Sequence, residues 1–310
     1  MNIKRKQYGF TLVELMVGLV IGLLISGIVI TTFMQSKRNY SQDERIARLQ
    51  ENGRFALQLL SHEISMAGFA GNMQLVDTID VNSPLSKAAI CGIDWWEIVA
   101  MPITVLSDSS TLDCISGEKS GTNIVIFRRV EGNPITPPTL PTADKLYFRT
   151  NGRGGEIHVS DGTATPTNYT DWPYLVHAYY IKGSNTAPDG LYRKSLAYSG
   201  GSLSMTAEEN LVPGFFDIGS VAGLDTVGDG VADRYVSSVT TTPGMVGLKI
   251  DVLMSSETKD HIYTNGKTYN LGLRTGITDL LDSNYYGRVF STTIPLRNTA
   301  FRNRIKNIGN

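Results

Sequence analysis

The sequence predicts an α+β protein in which one long N-terminal helix packs on an antiparallel β-sheet head. All twelve prolines lie at or after Pro84, so the first 67 residues contain no helix-breaking residue. The 25 residues of 10–34 carry one charged side chain, Glu14, within an otherwise apolar run. Beyond residue 68, short segments rich in β-branched and aromatic residues alternate with Gly and Pro. One helix followed by short strands is the order typical of an α+β fold.

The first half of the helix has the length and composition of a membrane span. Residues 10–34 would form roughly 37 Å of helix, enough to cross a bilayer. Lys4, Arg5 and Lys6 precede this run, so the positive-inside rule places the N-terminus in the cytoplasm. Gly18 and Gly22 have the G-x-x-x-G spacing that lets membrane helices approach closely. We therefore expect a single transmembrane segment at about 10–34.

The second half of the helix is predicted to be amphipathic and to lie on the head. Apolar or small residues recur at spacings of three and four, with charged residues on the other faces. Gly68 and Gly71 are candidate helix terminators. These signals predict a leader at 1–9, a helix at 10–67 and a globular β-rich head at 68–310. The apolar positions are Ile46, Leu49, Gly53, Ala56, Leu60 and Ile64.

Four segments of the head predict strands. They are rich in β-branched and aromatic residues, and several alternate in polarity. A fifth signal is Asn265-Gly266, which predicts a two-residue hairpin turn between flanking strands. Residues 136–142, with three prolines, predict a loop. The four strand segments are 122–129, 174–181, 247–254 and 288–294.

The junction between Gly9 and Phe10 predicts a processing site. An ionised Glu14 in a membrane helix costs about 2.5 to 3.5 kcal/mol at the helix centre, so it needs a partner. If a peptidase cut after Gly9, Phe10 would carry a new α-amino cation one helical turn from Glu14. The pair could form within one chain or between neighbouring subunits, and the second arrangement would set the axial register of a filament.

Lys4-Arg5-Lys6, Gly9, Phe10 and Glu14 before an apolar run resemble the prepilin signature of type IV pilins and type II secretion pseudopilins. The resemblance implies that a prepilin peptidase cleaves after Gly9 and methylates the amine of Phe10, and that Glu14 acts in assembly. A secretory signal peptide would have a shorter apolar core with small residues after it. An ordinary single-pass anchor would leave Glu14 and the Gly-Phe junction unexplained.

Residues 50–68 and 288–298 resemble the PilW family of type IV pilus minor pilins, as does the loop at 225–233. This resemblance implies a subunit stored in the inner membrane with a periplasmic head, which then joins the pilus. Its implied partners are other minor pilins, the major pilin, the inner-membrane assembly platform and a tip adhesin. Its implied role is to prime pilus assembly, at the tip, in support of twitching motility and adhesion.

Two other functions share the same N-terminal chemistry. A J-type minor pseudopilin of a type II secretion system also has a large head, and its loss would abolish protein secretion rather than twitching. An adhesive or DNA-uptake pilin would bind a ligand through its head. Trp95, Trp96 and Trp172 are candidates for such a surface, although core packing is the more common use of Trp.

Cys91 and Cys114 both fall in the predicted exported head. They are 23 positions apart, and a disulfide closing that loop would contribute about 3 kcal/mol on the chain-entropy model. An oxidising periplasm favours the disulfide. Two free buried thiols, or half of a metal site, are the alternatives.

Asp225, Asp229 and Asp233 surround glycines in one segment and can present oxygens to Ca²⁺. The segment lacks the EF-hand spacing and its distal Glu, so turn formation is the competing interpretation. Apart from this weak calcium site, the sequence predicts no cofactor.

Charge and motifs predict neither a nucleic-acid-binding protein nor an enzyme. The formal net charge is -1, and loss of the three leader cations would leave 25 Lys and Arg against 29 Asp and Glu. No large positive charge therefore drives DNA binding. His62-Glu63 begins a zinc-protease H-E-x-x-H motif, but Met66 occupies the second ligand position.

Overall fold

The computed structural model describes residues 9–73, 79–106, 112–136, 138–184, 187–236, 244–280 and 282–298. It confirms the α+β class, with one long N-terminal helix and mostly antiparallel sheets. The chain divides into two compact units, residues 1–47 and residues 48–310. The predicted leader, apart from Gly9, lies outside the described residues. The predicted division of helix from head at residues 67 and 68 stays a prediction.

Helix α1 spans Leu12–Met66, 55 residues. Its apolar first part is exposed throughout, and its length and composition mark it as a candidate membrane span. A Cβ added at Gly18 or Gly22 would have no neighbour within 4 Å. That surface is therefore open to another helix. The helix ends just before Gly68, which has a positive φ of 72° that favours glycine.

Fifteen strands follow the helix in the part of the chain that the structure describes. In chain order they are β1 (Asp80–Val81), β2 (Ile103–Leu106), β3 (Ile124–Val130), β4 (Leu146–Thr150), β5 (Gly155–Val159), β6 (Thr170–Ser184), β7 (Ala187–Ser199), β8 (Ser202–Met205), β9 (Glu209–Pro213), β10 (Phe215–Leu224), β11 (Arg234–Val236), β12 (Met245–Ser255), β13 (Tyr269–Leu271), β14 (Arg274–Ile277) and β15 (Gly287–Pro295).

Three sheets form the head. The first has nine strands, with β1-β5-β4-β6-β3-β2 in sequence across it and β7 pairing β6, β8 and β9. Its centre is β6, which pairs β4 with its first residues and β3 and β7 with later ones. The second sheet has the order β11-β10-β12-β15 and is antiparallel throughout. β13 and β14 form a separate two-stranded ribbon.

The outer half of α1 packs into the main core of the head. Its buried residues occur at the predicted spacing, and they cluster with apolar residues of both large sheets. A second core lies in the first sheet and the loops around Trp95, and a third lies between β12 and the β13–β14 ribbon. The helix therefore joins the two sheets in one hydrophobic cluster. Its buried apolar residues there are Leu49, Ala56, Leu60 and Ile64.

All four predicted strand segments are strands, but the predicted hairpin at Asn265-Gly266 is wrong. The turn between β13 and β14 lies at Gly272, whose φ is +62°. Asn265 is instead fully buried, and its side-chain amide donates to Tyr269 Oη at 2.9 Å and to the Tyr285 carbonyl at 3.0 Å. A buried amide that bonds to groups outside its own turn overrides the local preference of an Asn-Gly pair.

Candidate processing and assembly site

Gly9 and Phe10 lie in an exposed, non-helical segment before the helix. The Phe10 side chain is 89% exposed, and a Cβ added at Gly9 would meet nothing within 4 Å. The helix begins two residues later, at Leu12. A peptide bond outside regular structure is sterically accessible to a peptidase. The geometry is therefore compatible with cleavage between Gly9 and Phe10, and that assignment stays a prediction.

Glu14 takes part in a capping box at the start of the helix. Thr11 donates its backbone N–H and its hydroxyl to Glu14 Oε2, each at 2.9 Å. In return, the Glu14 N–H donates to Thr11 Oγ1 at 3.2 Å. The Thr-x-x-Glu spacing is the usual signature of this motif, so the sequence carried the signal and our sequence reasoning missed it. Glu14 thus has a local structural partner in addition to the predicted Phe10 amine.

The outer half of the helix is locked against β15. A Cβ added at Gly53 would overlap the Phe290 ring, so glycine allows this close approach. Beyond the helix end, the Asn298 side-chain amide donates to the carbonyls of Ser65 at 3.4 Å and Ala67 at 3.1 Å. These are carbonyls of the kind that a helix terminus leaves unsatisfied. The two stretches that resemble pilins at opposite ends of the sequence are therefore in direct contact.

A buried charged cluster links the helix to the first sheet. Glu63, only 3% exposed, accepts hydrogen bonds from Arg129 Nε at 3.2 Å and from Arg129 Nη2 at 3.1 Å. His177 Nδ1 lies 3.3 Å from Glu63 Oε2, the oxygen that also accepts from Arg129 Nε. Burial raises the pKa of Glu63, but the hydrogen bonds and charges of His177 and Arg129 outweigh it and lower that pKa to about 2. Glu63 is therefore ionised at neutral pH, and β3 and β6 are both tied to the helix.

Two family models match the chain. Residues 4–30 match the prokaryotic N-terminal methylation motif, and residues 178–298 match the type IV pilus-assembly protein W family. The PilW-family match covers the C-terminal part of the head, and the methylation-motif match covers the start of the chain. The resemblance expected from the sequence is thus confirmed. The second match ends at Asn298, so it contains β15 and the cap of the helix.

Comparison with curated proteins and solved structures adds little. No curated protein matches the chain. A type IV-like pilin from Thermus thermophilus aligns over 82% of this chain and 98% of its own, with 12% sequence identity and a TM-score of 0.34. A likeness at this level supports no inference about function.

The two cysteines of the chain are joined in a disulfide between Cys91 and Cys114. Their Cα atoms lie 5.3 Å apart, and the Cys114 N–H points at Cys91 Sγ at 3.2 Å. Both half-buried cysteines pack against the second core. The bridge therefore closes the loop that covers this side of the first sheet.

The three aspartates of the predicted calcium loop bind backbone amides. Asp225 accepts from the N–H groups of Gly228 at 2.5 Å and Gly230 at 2.7 Å. Asp233 accepts from the N–H of Thr226 at 2.7 Å, and Asp229 Oδ1 from the N–H of Val231 at 2.8 Å. Within the described parts of the chain, no group of three or more His, Cys, Asp or Glu side chains is arranged to hold a metal ion. The observed use of these carboxylates is to close the loop.

Two of the three tryptophans are buried. Trp95 is fully buried and donates its Nε1–H to the Ala88 carbonyl at 3.0 Å. Trp172 is 8% exposed and packs edge-on against Phe69, with ring centroids 5.7 Å apart. Trp96 is half-buried. Trp95 and Trp172 therefore belong to the core and not to a ligand-binding surface.

Proposed function

We propose that this chain is a minor pilin of the type IV pilus. The main support is the match of residues 4–30 to the methylation motif, which lies at the start of an exposed apolar helix. Residues 178–298 of the same chain match the PilW family. Prepilin peptidase cleaves between Gly9 and Phe10 and methylates the Phe10 amine. Glu14 then provides the charge that sets the register of the subunit in the assembly.

The proposed location follows from the helix. Residues 10–34 hold the processed chain in the inner membrane, with the head in the periplasm. Assembly at the inner-membrane platform transfers the helix from lipid into a bundle of pilin helices. Close packing, for which Gly18 and Gly22 leave open surface, favours that transfer. The chain joins other minor pilins in a complex that primes the pilus, stands at its tip near an adhesin, and supports twitching motility and adhesion.

The decisive experiment is the intact mass and N-terminal fragmentation of the membrane-extracted protein from cells with active prepilin peptidase. We expect a chain that begins at N-methylated Phe10. The variant Gly9→Val should keep its leader, because the added side chain would prevent the peptidase from accommodating the residue before the cleaved bond. A wild-type chain that still begins at Met1 would contradict the proposal. A processed chain whose deletion abolishes protein secretion and leaves twitching intact would instead be a type II pseudopilin.

A further inference from the structure

Strand β15 forms the edge of the second sheet, and its pairing register shows which backbone groups face outward. Leu296 donates its N–H to the Val246 carbonyl, and Ser256 donates to the Tyr286 carbonyl. Because hydrogen-bonded and non-hydrogen-bonded pairs alternate along an antiparallel ladder, the even-numbered residues of β15 bond to β12. The odd-numbered residues direct their N–H and C=O groups away from the sheet. The outward donors are the N–H groups of Gly287, Val289, Ser291 and Thr293.

This edge has few of the features that usually protect an edge strand. Such strands tend to be short, charged or interrupted by bulges or proline. The opposite edge, β11, has three residues, whereas β15 pairs β12 over nine residues with no register shift. Arg288 is the one charged residue of β15, and Pro295 comes last. Ser291 and Thr293 are exposed, and within the described residues no other strand pairs with β15.

We propose that the free edge of β15 accepts an extended strand from the head of another pilin. The inference rests on the proposed function for the class of partner. The outward N–H and C=O groups would continue the sheet across the subunit boundary by β-strand addition. A suitable strand carries no proline at the positions that face Gly287 to Thr293, and it places small or β-branched side chains beside Ser291 and Thr293.

A two-fold pair of copies of this chain fits the edge less well. The contacts from Gly53 to Phe290 and from Ala67 to Asn298 show that the outer helix runs in the same direction as β15. Two copies pairing through β15 about a two-fold axis would have antiparallel strands and hence antiparallel helices. Subunits drawn from one membrane into one pilus must instead have parallel helices.

A neighbouring head of similar architecture and the same orientation offers a strand of the correct direction. β11 is antiparallel to β10, β10 to β12, and β12 to β15, so β11 runs antiparallel to β15. When heads stand side by side in one orientation, the β11-side edge of one can therefore pair antiparallel with β15 of the next. The result is a heterologous contact, which is the type that builds a filament.

Proline substitution at outward positions tests the edge without touching the β12 ladder. Ser291→Pro and Thr293→Pro each remove one outward N–H, and edge strands tolerate proline at such positions. Ser291→Ala and Thr293→Ala are matched controls that lose the side chain and keep the N–H. The measurements are the melting temperature of the full chain in detergent and the ratio of chain in sheared pili to chain in the membrane.

We expect all four variants to melt within a few degrees of the unsubstituted chain, and the proline variants to be at least tenfold depleted from pili relative to their alanine controls. Equal incorporation of proline and alanine variants would overturn the proposal. So would melting of both proline variants far below their controls, because the outward N–H groups would then already be paired within the chain. Absence of the unsubstituted chain from pili would refute the proposed function itself, and with it this class of partner.

Discussion

At the scale of single residues, Glu14 has an observed role in the capping box and a proposed role in assembly, and the two roles differ in what they require. The capping box needs an acceptor oxygen that can bond the Thr11 N–H, which Gln also provides. Pairing with the amine of a processed Phe10 needs the negative charge. The two requirements can therefore be separated by substitution.

We predict that Glu14→Gln reduces pilus number strongly, whereas Thr11→Val does not. Glu14→Gln keeps the cap and removes the charge, while Thr11→Val keeps the charge and removes the hydroxyl of the cap, at a cost of about 1 kcal/mol to the helix end. Pili counted by electron microscopy, with membrane levels of each variant as the control, provide the comparison. If the two substitutions reduce pili equally, the carboxylate acts as a cap and not as an assembly charge.

The sequence reveals some of these residues and not others. Gly9, Phe10 and Glu14 lie in a local pattern, as does the Thr11 cap. Glu63 gave no such signal, because its partners Arg129 and His177 lie 66 and 114 positions away and meet it only in the folded head. The hairpin at Asn265-Gly266 was predicted wrongly for the same reason, because Asn265 bonds to Tyr285, 20 positions later.

At the scale of elements, the outer half of the helix and strand β15 pack directly against each other. The period of apolar residues predicts which helix face is buried, and the β-branched composition predicts the strand. Their contact could not be predicted from periodicity, because the apolar period accounts for any small residue at position 53 and does not indicate that a glycine is required. The Phe290 ring explains why a glycine is required there.

We predict that Gly53→Ala lowers the free energy of unfolding by about 1 to 2 kcal/mol, because overpacking against Phe290 exceeds the gain of about 1 kcal/mol in helix propensity. Gly53→Ala with Phe290→Leu should recover part of the loss, since the smaller side chain makes room. Gly132→Ala, where an added Cβ meets nothing within 4 Å, is the neutral control. Urea unfolding of the full chain in detergent measures all three. A Gly53→Ala variant as stable as wild type would mean that β15 can shift away from the helix.

At the scale of the whole molecule, buried carboxylates join elements that are distant in sequence. Glu63 ties α1 to β3 and β6, and Asp171 of β6 is paired with Arg149 of β4 at 2.8 Å and with His158 of β5 at 3.2 Å. Burial raises the pKa of Asp171, but these partners and Thr165 lower it well below its usual range. Both groups therefore stabilise the folded head in their charged form.

We predict that the head loses stability as the pH falls from about 4.5 through about 2. A carboxylate with a lowered folded-state pKa contributes stability above its unfolded pKa and loses it as the folded form is protonated. Glu63→Gln should cost roughly 3 to 5 kcal/mol at pH 7, because it leaves Arg129 buried without its counter-charge. It should also flatten the pH dependence below 4.5. Exposed Glu51→Gln is the control, and an unchanged acid slope in Glu63→Gln would exclude Glu63 as a contributor.

The contact between the helix and β15 can form only when synthesis of the chain is almost complete. The helix leaves the ribosome first, whereas Phe290 and the Asn298 cap come more than 200 residues later. During that interval, the helix face at Gly53 lacks the Phe290 ring that packs on it. The chain must therefore keep this face from aggregating until synthesis is almost complete, and a chain interrupted before Gly287 would leave it without that cover.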